Sequence, residues 1–261
     1  MADLQNAKYA VEDRVAIITL DHPPVNAFNA QTVQDLDAAI DMALEDEAVK
    51  VIIITGAGQM AFVAGADISE INSIEDADHA EELLRAGHGV FNKVEASRKP
   101  VIAAINGICL GGGLELAMAC HMRVAGDRVR IGQPEINLGI IPGWGGTQRL
   151  PRIVGPSKAA EMILTGDPLR AQEAYRLGLV NKVVPMGDVL KEAKGLARKI
   201  ASKSAVAIGC AIAAIERGRH LSLDAAMDVE IEQWRTLVDS EDMREGVGAF
   251  LEKRQPQFKD Q

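Results

Sequence analysis

Cysteine is scarce in this 261-residue chain, and its three copies, Cys109, Cys120 and Cys210, follow no metal-ligand spacing. An odd number also suits no internal disulfide framework, so a reducing compartment is expected. Positive charge is short too: 28 Lys and Arg against 37 Asp and Glu leave −9, which argues against nucleic-acid or anionic-membrane partners. Local basic residues remain free to hold a phosphate-bearing group. No apolar run approaches the roughly 20 residues of a membrane span, and Met1 to Lys8 carries Asp3 and no hydrophobic segment, unlike a secretory signal. An untargeted, cytoplasmic protein is expected. The five histidines, His22, His79, His88, His121 and His220, form no spaced cluster, so no metal site is expected.

What is present is 48% hydrophobic residues patterned along nearly the whole chain, enough for a sizeable core. Val15 to Leu20, Val49 to Thr55 and Val101 to Ile105 are compact β-branched runs, which predict strands covered on both faces. Between them, Asn29 reads as an N-cap before the stripe Val33, Leu36, Ile40, Ala43 and Leu44, and His79 to Ala96 reads as a second helix. Shorter strands are predicted at Met122 to Ala125, Arg128 to Ile131 and Val180 to Val184. Helices then dominate: one stripe runs from Val189 to Ile200, another from Leu223 to Val238 behind Ser222, and a last one starts behind Ser240. Their apolar faces, with Trp234 and Phe250, suit either capping of their own core or contact with a neighbouring subunit.

Chemistry concentrates in three glycine-bearing turns. In Ile108-Cys109-Leu110-Gly111-Gly112-Gly113-Leu114-Glu115-Leu116-Ala117, the triplet exposes backbone N–H groups, and Leu114 to His121 reads as a helix whose positive end lies there. An acyl carbonyl oxygen that becomes anionic during reaction is the expected guest. Glu115 falls among apolar neighbours, so partial burial is expected to raise its pKa into the range useful for proton transfer. Glu135 follows in Gly132-Gln133-Pro134-Glu135-Ile136, ahead of the loop Pro142-Gly143-Trp144-Gly145-Gly146-Thr147-Gln148-Arg149. A glycine triplet also lets a helix pack closely, and most glutamates are solvated, so spacing leaves open whether the two carboxylates meet. The third turn, Ala61-Phe62-Val63-Ala64-Gly65-Ala66-Asp67-Ile68, follows a strand, and its small residues permit close approach of a ligand to the backbone. The Asp67 carboxylate reads as holding that turn rather than as catalytic.

Taken together with Asn106-Gly107 ahead of the triplet and the closing Gly248-Ala249-Phe250-Leu251-Glu252-Lys253-Arg254, these segments resemble the enoyl-CoA hydratase or crotonase family over nearly the whole chain. The resemblance implies an α/β fold of the crotonase type, a spiral of ββα units with a C-terminal helical trimerisation region. Residues 1–185 would form the core with its CoA and acyl site, and 186–261 the helices that cap the core and build the oligomer. It implies reversible hydration of a 2-trans-enoyl-CoA to a 3-hydroxyacyl-CoA, with the N–H groups of Ala66 and Gly112 as an oxyanion hole. Glu115 would activate water at C3 and Glu135 handle the C2 proton. Coenzyme A, part of the substrate and not a prosthetic group, would lie near Ala64, Gly65, Ala66, Asp67 and Ile68, with Phe250 and Lys253 reaching it from a neighbouring subunit of a homotrimer or dimer of trimers.

Two departures bear on the substrate. Trp144 stands where alanine or phenylalanine is familiar and would shape the acyl pocket if its indole points inward, and Leu114 replaces a cysteine. A double-bond isomerase, a hydratase of cyclic enoyl-CoA and a non-catalytic CoA-binding protein are the competing readings.

Overall fold

The computed structural model describes residues 3–261; Met1 and Ala2, the start of the segment read as lacking a signal, lie outside the described residues. The chain winds in successive ββα units. β1 (Ala7–Glu12) and β2 (Val15–Leu20) precede α1 (Ala30–Glu45), and β3 (Val51–Gly56) and β4 (Ala61–Val63) precede α2 (Ile68–Asn72) and α3 (Ala77–Glu95). β5 (Val101–Ile105) and β6 (Ile108–Leu110) precede α4 (Gly112–Ala119), and β7 (Met122–Gly126) and β8 (Arg130–Gly132) lead through a 3-10 turn, Glu135–Leu138, to α5 (Gly146–Val154) and α6 (Pro156–Thr165). β9 (Leu169–Arg170), α7 (Ala171–Arg176) and β10 (Lys182–Val184) complete the sheets, before α8 (Val189–Ala201), α9 (Ala205–Gly218), α10 (Leu223–Val238) and α11 (Glu241–Leu251).

Among the described residues the strands form two sheets, ordered β1-β2-β3-β5-β7-β10 and β4-β6-β8-β9. From the second unit to the fourth, one strand joins the larger sheet and the next joins the smaller, so each turn of the spiral adds a rung to both. β2, β3, β5 and β7 run parallel. Their runs of Val, Ile and Ala are buried throughout β3 and β5, as expected of strands covered on both faces. One face packs Ile52, Ile54, Ala103 and Ile105 against α1, α3 and α4. The other meets Val189, Ala193, Ala197 and Ala201 of α8, which caps the sheet from the C-terminal side of Pro185.

Several predicted caps are present as hydrogen bonds. The side chains of Asn29, Ser222 and Ser240 accept from Thr32, Ala225 and Met243, each the third residue of its helix. Other expectations are corrected. The helix predicted over Leu114 to His121 begins two residues earlier, at Gly112, and ends at Ala119. The turns at Ala61 and Ile108 open with three-residue strands, too short to show any period. β1, α5, α6, α7 and α9 were not predicted. α5 carries Pro151 within it and starts on glycines, signals that ordinarily interrupt a helix. α9 is apolar on every side and so shows no stripe. The C-terminal helices leave Leu223, Met227, Ile231, Trp234 and Val238 exposed along one line of α10.

Candidate active site

The smaller sheet brings the three turns together. β4, β6 and β8 are adjacent and parallel, and each ends in one of the turns singled out in the sequence. Ligand sites in parallel sheets form at the carboxyl ends of the strands, because the turns there converge with their backbone groups unpaired. Beyond the last β6 pair, the Gly111 N–H still donates to the Gly132 carbonyl at 3.0 Å, which keeps the second and third turns side by side.

Gly111 makes the sharp entry into α4. Its φ of 52° and ψ of −127° are open to glycine alone, and a side chain there would touch a Glu135 carboxylate oxygen and the Gly65 Cα. The three turns thus meet at one point. The 64–67 turn is held by Phe28, whose N–H donates to the Gly65 carbonyl at 2.8 Å and whose carbonyl accepts from Asp67 at 2.7 Å. Between these bonds the Ala66 N–H finds no acceptor among the described residues, and neither does the Gly112 N–H at the first position of α4. Asp67 caps α2, its carboxylate accepting from the Ser69 N–H and hydroxyl, which holds its pKa below the usual carboxylate value.

Glu115 lies on the first turn of α4 and is 2% exposed. One carboxylate oxygen accepts from the backbone N–H groups of Trp144 and Gly146, both at 2.7 Å. Gly146 is the first residue of α5, so the carboxylate sits at the positive end of that helix. Burial nonetheless dominates and pushes its pKa up to about 7, against the pull of those two N–H groups and of Arg149. Glu135 opens the 3-10 turn, and burial, reinforced by the negative charge of Glu115, lifts it to about 7 as well. Gln133, fully buried, donates to both Glu135 oxygens at 2.9 and 3.1 Å when its amide NH2 faces them. The Glu115 charge thus reaches Glu135, and both carboxyls are brought near neutral pH.

The Trp144 indole points inward. It packs edge-on against Phe28 and Phe91, ring centres 5.6 Å away in both cases, and lies over the Cα atoms of Gly87 and Gly112. Phe250 and Lys253 sit at the end of α11, Phe250 with 82% of its surface exposed, and neither joins the hydrogen bonds that tie the site together. The Trp144 and Gly146 amides, Gln133 and Phe28 are structural partners that residue typing did not single out. Backbone amides carry no sequence signature; only the glycine pair before Thr147 hinted at exposed N–H groups. Among the described residues no group of His, Cys, Asp and Glu is placed to hold a metal ion.

Residues 10–261 match the family model described as enoyl-CoA hydratase/isomerase. The chain is 44% identical to the crotonyl-CoA hydratase of Syntrophomonas wolfei, over 95% of both chains. With the short-chain-enoyl-CoA hydratase of Clostridium acetobutylicum it shares 42% identity over 97% of both. Among solved structures, the enoyl-CoA hydratase of Bacillus anthracis superposes with a TM-score of 0.94 at 37% identity, covering 98% of this chain and all of that one.

Proposed function

The chain belongs to the enoyl-CoA hydratase/isomerase family, with its crotonase-type fold and hydratase activity, and from that premise we propose how its own residues carry the reaction. The substrate is a 2-trans-enoyl-CoA and the product a 3-hydroxyacyl-CoA. The observation that carries this reading is a buried glutamate, Glu115, and a half-buried one, Glu135, both with raised pKa, set beside two unpaired backbone N–H groups.

The thioester oxygen lies between the N–H groups of Ala66 and Gly112. Glu115, ionised, takes a proton from water as its oxygen bonds to C3. The displaced π electrons move through C2 into the thioester carbonyl, whose growing negative charge the two N–H groups stabilise. Glu135, protonated, then delivers a proton to C2, so water is added with no net charge left behind. Coenzyme A is part of the substrate, and these steps call for no prosthetic group. Its carrier portion runs along Ala64, Gly65, Ala66, Asp67 and Ile68, where the small side chains of Ala64, Gly65 and Ala66 allow close approach. Trp144 walls the acyl end, which favours short chains.

The productive form holds one proton between two carboxyls that both titrate near 7. We therefore expect kcat/KM to peak near neutral pH and to fall on either side, as Glu115 gains its proton or Glu135 loses its own. The assay is the loss of the conjugated double bond over a panel of linear and cyclic enoyl-CoAs. Rates that decline with chain length support the Trp144 wall. Double-bond migration without incorporation of water, or no turnover on any member, overturns the assignment.

The exposed apolar line of α10 supports a homotrimer or a dimer of trimers, with Phe250 and Lys253 reaching the CoA of a neighbouring subunit. Light scattering at micromolar concentration is expected to give a particle of three or six chains. A fully active monomer removes both the assembly and that donation. The three cysteines are free and buried, which fits a reducing compartment, and we read the protein as cytoplasmic. No helix of the described residues is long and apolar enough to cross a membrane.

A further inference from the structure

The two amides that hold Glu115 lie where the 142–145 loop enters α5, and both must point at one oxygen atom. What braces the loop is Arg149, which is 9% exposed. Its Nη1 donates to the Trp144 carbonyl at 3.0 Å, its backbone N–H donates to the Gly145 carbonyl at 2.7 Å, and its guanidinium lies directly over the Gly145 Cα, where any side chain would collide with it. The far side of the guanidinium is anchored on α3. Nε and Nη2 reach the two Glu95 oxygens at 3.2 and 2.8 Å, and Nη2 also donates to Asn92 at 2.8 Å. Such a fork fixes orientation as well as distance.

The chain of contacts continues beyond the site. Glu95 accepts a second guanidinium, that of Arg219 at the end of α9, whose Nη1 lies 3.0 Å from Glu216. Burial works to raise the Glu95 pKa, but the two arginines hold it below the usual value, so it stays ionised. Neighbouring His121, whose Nδ1 accepts from the Val101 N–H, is pushed down to about 4 by burial and is neutral at physiological pH. Arg149 is therefore the positive charge that faces Glu115, while Glu135, the other carboxyl of the site, carries the proton in the productive form.

We propose that Arg149 is a positioning residue, clamping the Trp144 carbonyl so that the Trp144 and Gly146 amides stay aimed at Glu115, with Glu95 and Arg219 tying that clamp to the C-terminal helices. This rests on the reading of Glu115 as the base that activates water. Removing the guanidinium has two separable effects: the amides drift off the carboxylate, and the charge that favours its ionised form is lost. Both raise the pH at which Glu115 ionises.

The test uses the full-length protein with Arg149→Met, Arg149→Lys and Arg219→Met, assayed with crotonyl-CoA across pH. Arg149→Met is expected to lower kcat roughly 10- to 100-fold, the range that small misplacements of reacting groups produce, with KM within about twofold. The acid limb of kcat/KM moves to higher pH, so the loss is greater at pH 6 than at pH 8.5. Arg149→Lys restores part of both, and Arg219→Met shows the same shift in smaller measure. Infrared titration of carboxyls in 13C-glutamate-labelled protein, compared with Glu115→Gln, follows Glu115 without turnover. This readout separates failure of the clamp from failure of the hydratase reading. A folded Arg149→Met variant with an unmoved Glu115 titration overturns the proposal, as does a loss equal at every pH. Should Arg149→Met not fold, an unshifted titration in Arg149→Lys and Arg219→Met overturns it equally.

Discussion

Glu115→Gln is expected to lose about 100-fold or more in kcat, within the range of about 10²–10⁴ typical for removal of a general acid or base, while gaining thermal stability at pH 8. Glutamine keeps a carbonyl oxygen for the Trp144 and Gly146 amides, so the loop stays in place and only the proton-transfer function is lost. The stability gain follows from linkage. Burial raises the folded-state pKa to about 7, above the ordinary glutamate value of 4.5, so the native state holds its proton more tightly than the unfolded chain does. The contribution is complete below about pH 4.5 and lost as pH rises through 7. At pH 8 the wild type therefore buries an ionised carboxylate at a cost on the order of 3 kcal/mol, which the variant avoids. Melting curves at pH 4.5 and pH 8 check the sign, since the gain belongs to the higher pH. Glu135→Gln is expected to lose activity on the same scale. Full turnover in both folded variants would remove the glutamate pair from the mechanism.

Gly113→Ala is expected to damage stability and activity together. A methyl group there runs into the Val63 carbonyl oxygen and side chain, which means into the end of β4, where backbone cannot rotate aside. Overpacking of this kind costs about 1–3 kcal/mol and sometimes more. Relief requires β4 to move away from α4, and the 64–67 turn moves with it, separating the Ala66 and Gly112 N–H groups. Turnover is therefore expected to fall further than the loss of folded protein accounts for. Gly89→Ala provides the contrast, because nothing lies within 4 Å of a methyl group there and α3 gains helix propensity of roughly 0.5–1 kcal/mol. Equal melting temperatures for the two variants would show that the β4–α4 contact yields easily.

How much of this was legible before folding varies from element to element. The strands Val15–Leu20 and Val101–Ile105 coincide with their predicted bounds, because a β-branched run buried on both faces is a local signal. The Asn29, Ser222 and Ser240 caps are local too, each a side chain bonded three residues on. By contrast, β4 and β6 consist of three residues apiece and exist because parallel neighbours pair with them. α5 forms in spite of Pro151 and its glycine start, with Arg149 bound to α3 and the α5 N-terminus facing Glu115. Such tertiary contacts outweigh propensity differences of a kilocalorie or so per residue.

The site divides along the same line. Glu115 and its apolar neighbours lie within a few residues of each other, so its burial and raised pKa were readable from order alone. That Glu135, twenty positions later, shares its field was not, since a carboxylate's neighbours depend on which strands pair and in what register. By itself the sequence determined the buried strands, the helix caps, the small-residue turns and the family to which they point. Only the tertiary structure decided that β4, β6 and β8 end side by side, that Trp144 faces inward, and that two amides and Arg149 govern Glu115. The reason is physical: propensity and burial act between chain neighbours, whereas electrostatics and hydrogen-bond geometry act between spatial neighbours that the chain order does not name.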